Sequence, residues 1–253
     1  MPGGYTSNSP FVQGFQWLSN PASWQGPLGI PARTVEHLGY TGLTLAIALA
    51  IALPLGFYVG HTGRGRVVAI ALAGVLRALP TLGVMTLFVL MASSTLSLMP
   101  PLWALVLLAV PPILAGTYAG ISSVSRDTVD AARGIGMTEL QILFRVEVPN
   151  GLAVMLGGIR AAVLQVIATV AVVAYISLGG LGRFIIDGLA VQDYGQVLGG
   201  AAVIAVIAIG IDLVLAGLQR AAVSPGLKDV RHLPAEPPTG SERLTASALG
   251  GEP

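Results

Sequence analysis

The chain has 253 residues, 54% of them hydrophobic and 10% charged, with a formal net charge of +1 and a mean hydropathy of +0.79. A soluble domain carries about 25% charged residues, so too few charges remain here to coat a globular surface, and the composition points to a membrane protein. The absence of cysteine excludes disulfides, Cys-based zinc sites and thiol catalysis. Histidines at 37, 61 and 232 are too scattered to form a ligand cluster, so no metal site is expected.

Residues 1–36 contain no long apolar run, and their Pro, Gly, Ser and Asn content, with Trp17 and Trp24, reads as a loop segment. It is not a cleavable signal, which needs a basic start and a continuous apolar core; the first positive residue is Arg33. The tryptophans serve packing or interfacial anchoring. Apolar runs long enough for a hydrocarbon core of about 30 Å then follow. The first covers residues 38–60, with Pro54 expected to kink it, and a short link with Arg64 and Arg66 follows. The second, 67–93, is interrupted at Arg77 and Pro80 and is too short for two full spans, so it reads as one broken helix. After a turn over 94–101, the third covers 102–121, with Pro111 and Pro112 as a further distortion. A polar loop, 127–150, precedes the fourth at 151–178, whose Ala and Gly suit close helix approach. Gly179-Gly180-Leu181-Gly182 ends it, a moderately polar and partly re-entrant connector covers 184–194, and the fifth span is 196–218. The fold class is therefore an all-α membrane protein with about five transmembrane helices. Its organisation is an extracytoplasmic segment 1–36, a membrane domain 37–219, and a flexible cytoplasmic tail 220–253 without apolar periodicity.

Positive charge sets the orientation, because Lys and Arg are retained on the cytoplasmic side. With loop 127–150 inside, that side receives Arg64, Arg66, Arg126, Arg133, Arg145, Arg220, Lys228, Arg231 and Arg243, against Arg33 and Arg183 outside. This places the N-terminus out and the C-terminus in. The count inverts if a span is missed between the second and third, so the reading of 67–93 as one broken helix matters.

The loop itself has a legible local structure. Asp127 suits an N-cap and Asp130 a first turn, where the positive end of the helix dipole favours an acid. Gly134 and Gly136 break this helix, and Thr138-x-x-Gln141 is a capping-box pattern for a second short one. On it, Leu140, Leu143 and Phe144 fall at i, i+3 and i+4 as an apolar stripe, and Pro149 is expected to stop it before the next span. By periodicity alone this is an ordinary amphipathic loop resting on the bilayer or on the protein's own helices, or a docking element.

Asp130-Ala131-Ala132, three residues, Gly136, nine residues, then Val146-x-Val148-Pro149 resembles the EAA loop of ABC-importer permeases at every spacing, with conservative replacements at the Glu, Ile and Leu positions. Further stretches, among them Asn20-Pro21-Ala22-Ser23-Trp24, Glu36-His37-Leu38, Gly60-His61-Thr62-Gly63-Arg64-Gly65 and Leu79-Pro80-Thr81-Leu82, look like the osmoprotectant permeases for glycine betaine, carnitine, choline or proline. The resemblance covers about residues 20–220. It implies a permease subunit working by alternating access, with no enzymatic activity of its own. Expected partners are a separate ATP-binding cassette subunit, a second permease copy in a homo- or heterodimer, an extracytoplasmic substrate-binding protein and the lipid bilayer of the cell membrane, with no nucleic acid. No cofactor is expected on this chain, which lacks a phosphate-binding Gly-x-x-x-x-Gly-Lys-Ser/Thr loop; ATP and Mg would sit on the ATPase partner. Asp130, Ala131, Ala132, Gly136, Leu140, Phe144 and Pro149 would form the ATPase-coupling surface, with Gly136 supplying a turn few other residues make. The alternatives are a permease of this architecture for another small solute such as an amino acid, or an ATP-independent channel or secondary transporter.

Arg77, Arg160 and Asp212 fall at membrane depth, where ionisable groups pair or face a polar cavity. Arg77, three residues before Pro80, either satisfies local carbonyls or lines the path. Arg160 and Asp212 lie at similar depths in antiparallel spans, which predicts an interhelical ion pair. Phe57, Tyr58, Phe88, Trp103, Tyr118 and Tyr175 are too dispersed to read as an ammonium cage, and no substrate-binding residue is assigned.

Overall fold

The computed structural model describes residues 9–91, 99–176 and 178–222, with Arg77 described by its backbone alone. The tail beyond residue 222 and most of the 94–101 turn lie outside the described residues. Every regular element within them is helical: α1 (Pro10–Ser19), a 3₁₀ turn at Pro21–Trp24, α2 (Ile30–Thr62), α3 (Arg66–Ala78), α4 (Thr81–Met91) and α5 (Met99–Ser122). Then come α6 (Arg126–Gly134), α7 (Glu139–Ile142), a π turn at Leu143–Glu147, α8 (Val148–Val173), a 3₁₀ turn at Ala174–Ile176, α9 (Gly182–Ala190) and α10 (Tyr194–Ala222). Four rods are long and apolar enough to cross a membrane: α2, α5, the continuous Glu139–Ile176 segment and α10. α3 and α4 pass the same test as a pair bent by 91°, with Pro80 at the break, where its missing N–H and its ring interrupt the helix.

Close helix contacts fix the direction of each rod. Gly56 and Gly60 of α2 lie against Thr117 and Ile121 of α5, so these two helices run parallel. The chain between them must therefore return through the bundle, which makes the bent α3–α4 pair one crossing and the total five among the described residues. α8 is antiparallel to α5, with Gly158 at Gly116 and Gly151 at Gly120. α10 is antiparallel to α8, with Asp212 at Arg160 and Gln219 at Ala153. α1, held against Leu198 and Gly199 near the start of α10, sits at the end of the bundle opposite the α6–α7 loop. The last turn of α10 lies at the loop end.

Helices in a bilayer gain little from hiding apolar surface from one another, so they associate by packing and by hydrogen bonds. At α5–α8 the glycines let backbones touch: a Cβ built on Gly158 would stand 2.6 Å from the Gly116 Cα. The core around this seam contains Leu105, Ala109, Ile113, Val166 and Val170, with Ala48, Ala52 and Met85 from α2 and α4. Pro111 and Pro112 do not break α5, which is continuous. Pro112 lacks the N–H that would reach the Leu108 carbonyl one turn back, and Gln165 of α8 donates to that oxygen instead at 3.0 Å.

Two expectations for the N-terminal region are corrected. Part of the segment read as loop is the α1 helix, which begins with Pro10 in its first turn and seats Trp17 edge-on against Phe184 at 5.1 Å. Ten residues are too short for a stable isolated helix, and tertiary contact with α9 and α10 supplies what periodicity did not show. α2 also starts earlier than residue 38, at Ile30, with Pro31 pre-set for a first turn. Its polar residues are tied into the fold there. Glu36 accepts from Arg33 and from the Gly180 N–H, each at 2.8 Å, and the buried His37 ring lies 3.0 Å from the Ile167 carbonyl. The 184–194 connector is mostly helical, as α9.

Candidate coupling surface at the loop end of the bundle

α6 begins on Ser125, whose hydroxyl accepts from the Thr128 N–H at 3.3 Å. Ser125, and not Asp127, is the N-cap; Asp127 lies in the first turn, where its charge still faces the positive end of the helix dipole. Asp130 and Ala131 are exposed and Ala132 is buried. Gly136 has φ +88° and donates its N–H to the Arg133 carbonyl at 3.0 Å. That left-handed geometry penalises any residue with a Cβ. The Thr138–Gln141 capping box is present in both directions, at 3.4 and 2.9 Å.

The apolar stripe divides. Leu140 and Phe144 are 70% and 56% exposed, joined by Ile135 at 81%, whereas Leu143 is 8% exposed and turned inward with Ile121 and Met155. Pro149 does not stop the helix as expected. The π turn just before it, where the Val148 N–H reaches back to the Leu143 carbonyl, makes room for its ring and leaves α7 and α8 as one rod, Glu139–Ile176. Inserting a residue into the turn also rotates the preceding face, which sends Leu143 into the bundle.

Charged groups stitch the loop together. Arg133 meets Asp130 at 2.8 Å and Glu139 through two bonds of 2.8 and 3.0 Å. The hydrogen bond and charge of Glu139, with the charge of Asp130, raise the Arg133 pKa above its already high ordinary value. His61, at the end of α2, stands between Glu147 at 2.5 Å and Glu139 at 3.1 Å. Beside it, a cleft of about 410 Å³ is lined by Arg66, Tyr118, Arg126, Asp130 and Arg133 among others, with the Arg66 guanidinium 5.6 Å above the Tyr118 ring. In the sequence His61 stands only as part of a family-like stretch, and its meeting with Glu139 and Glu147 is not legible there because His61 and Glu147 are 86 residues apart.

Deeper in the bundle, Arg160 and Asp212 form a two-point ion pair, at 2.5 and 2.6 Å, between α8 and α10. Arg77 lies in α3, and its side chain is outside the described residues. Of the dispersed aromatics, Phe88 and Trp103 share an apolar pocket of about 290 Å³ with Met91, Met99 and Pro100. Among the described residues no group of three or more His, Asp or Glu is placed to hold a metal ion.

Residues 52–226, most of the bundle and the whole loop, match the family of binding-protein-dependent transport system inner membrane components. The chain belongs to this family. As such an inner-membrane component it is a multi-pass protein of the cell membrane. It is 29% identical over 201 residues to the carnitine transport permease protein OpuCB of Listeria monocytogenes, covering 79% of this chain and 91% of the relative. The same identity over the same length relates it to the glycine betaine/carnitine/choline transport system permease protein OpuCB of Bacillus subtilis, covering 92% of that protein. Among solved structures, the MetNI methionine ABC transporter in an inward-facing conformation shares the fold, with a TM-score of 0.66 and 18% identity over 77% of this chain and 97% of the other.

Proposed function

We propose that this component is the permease subunit of an ATP-driven importer for osmoprotectants of the glycine betaine, carnitine, choline or proline class, coupled to a separate ATPase through residues 127–150. The observation that carries the reading is the form of the loop. A nine-residue helix closes on a left-handed glycine and is followed by three exposed large apolar side chains, Ile135, Leu140 and Phe144. Large apolar side chains left exposed on one short loop fit a protein-binding surface, and the rod that begins there continues into α8. Glycine betaine, carnitine and choline rest on the names of the relatives, and proline on the sequence resemblance alone.

The loop end carries Arg64, Arg66, Arg126, Arg133, Arg145 and Arg220, against Arg33 and Arg183 at the other end, which supports a cytoplasmic loop, an external N-terminus and an internal C-terminus. ATP and Mg²⁺ would be held by the partner ATPases, one beneath each of two permease copies. An external binding protein would deliver solute to the end where α1 and α9 lie. Movement of the docked loop would tilt the Glu139–Ile176 rod, and the Arg160–Asp212 pair would carry α10 with it, exposing the path alternately to the two sides.

The test is uptake of labelled glycine betaine, carnitine, choline and proline by proteoliposomes holding the whole importer, with ATP inside and with Gly136→Val as a coupling control. We expect ATP-dependent uptake of at least one solute, reduced about tenfold in the variant by the 1–3 kcal/mol strain of a β-branched residue at positive φ. ATP-dependent uptake of none of the four would discard the osmoprotectant assignment. Uptake by this chain without ATP or partners would replace the importer with a channel or secondary transporter.

A further inference from the structure

The rod that includes α8 is covalently continuous with the loop, but α2 is not, and whatever moves α2 with the loop must be a non-covalent tie. The structure contains one. Asp130, Arg133, Glu139, His61 and Glu147 form an unbroken series of polar contacts running from α6 through α7 to the last turn of α2 and on to the π turn. His61 is where the series leaves the loop. Its side chain is 14% exposed and Glu147's 6%, while Glu139 is 57% exposed. Each ring nitrogen faces a carboxylate oxygen. Ionised carboxylates only accept and a neutral imidazole donates from one nitrogen, so a ring carrying both protons satisfies both contacts at once. Such charge-assisted bonds are the stronger kind.

An apolar contact works beside the polar ones. Phe57, one turn before His61 on the same face of α2, meets Phe144 edge-on at 5.9 Å. At its other end α2 is bonded to the same rod, through His37 and the Ile167 carbonyl. α2 is also packed along α5, at Gly56 and Gly60, so cutting the loop-end tie leaves it following α5 and the His37 contact but no longer the loop.

We propose that His61 is a positioning residue for transport, fastening the cytoplasmic end of α2 to the coupling loop so that displacement of α6 by the ATPase reaches α2 as well as α8. This rests on the importer reading above. The experiment compares ATP hydrolysis and solute uptake by the complete importer in proteoliposomes for the wild type, H61F, H61R and E139Q. H61F keeps a ring and removes the hydrogen bond to Glu147 and the contact with Glu139; H61R supplies a cation that donates to two carboxylates. In H61F we expect hydrolysis to continue while solute taken up per ATP falls about tenfold, the size of one lost hydrogen bond to a charged group, and H61R to recover most of it. A purely structural role would lower hydrolysis and uptake together and leave their ratio unchanged. An unchanged ratio in H61F, or an H61R no better than H61F, would overturn the proposal. If H61F fails to assemble, E139Q decides, since it takes the carboxylate charge out of the series at an exposed side chain and leaves only a neutral acceptor: a lowered ratio supports the proposal and an unchanged one overturns it. A wild type without ATP-dependent uptake would instead remove the importer reading, and this inference with it.

Discussion

The α5–α8 seam and the α6–α7 loop are adjoining parts of one molecule built on opposite uses of small residues. At the seam, Gly116, Gly120, Gly151 and Gly158 are small because another backbone occupies the space a side chain would take. In the loop, nothing lies within 4 Å of a Cβ built on Gly136, and glycine is required there by φ +88° alone. The seam therefore answers to volume and the loop to conformation and exposed chemistry. Substitutions should separate the two, the first harming the fold and the second harming what the fold does.

The largest expected effect is at the seam. In Gly158→Val the new Cβ would meet the Gly116 Cα at 2.6 Å and the Pro112 carbonyl oxygen at 2.8 Å. Both are backbone atoms and cannot rotate away. Overpacking of this kind costs about 3 kcal/mol, so the purified permease should lose thermal stability in detergent and yield little assembled importer. A melting temperature equal to that of wild type would mean that the helices separate without cost, and the seam would not be the rigid half of the comparison.

A smaller effect is expected one step from the seam, at Gln165. Gln165→Leu keeps the approximate size of the side chain but leaves the Leu108 carbonyl, already deprived of a partner by Pro112, without its hydrogen bond. The expected loss is about 1 kcal/mol, readable as a modest fall in melting temperature with transport retained. Substitution of Pro112 by Ala in the Gln165→Leu background should recover stability, because the helix then supplies the missing N–H itself.

Most of the bundle was legible in the sequence because spans announce themselves by length and apolar composition, and the motif spacing located the loop to within a turn. The parts that were not legible depend on contacts between distant residues. α1 is a helix because α9 and α10 receive Trp17 and Gly14, and ten residues carry too little periodicity to say so. Pro149 reads as a stop signal in any local rule, and only the π turn before it explains why the rod continues. That same turn separates Leu143 from Leu140 and Phe144, which 3.6-residue periodicity puts on one face. The Arg160–Asp212 pair was accessible because two charges at matching depths in antiparallel spans have few other partners. His61 was not, since a histidine at the end of a span carries no mark of what it will meet.

The smallest effect on the fold, and the sharpest test of the contrast, is expected at Leu140. Its side chain is 70% exposed and lies on a segment held in place by the capping box and by Arg133, so Leu140→Ser should change stability by no more than about 0.5 kcal/mol. If the loop's exposed apolar side chains form a docking surface, the same substitution removes one that becomes buried on association, and burying a Leu contributes about 1.5–3 kcal/mol. Affinity for the ATPase subunit, measured with the permease in nanodiscs, should then fall about tenfold or more while the melting temperature stays put. A fall in both would place Leu140 with the packed core despite its exposure. A fall in neither would leave Ile135 and Phe144 to carry the docking, and would move the contact surface from α7 towards α6 and the π turn.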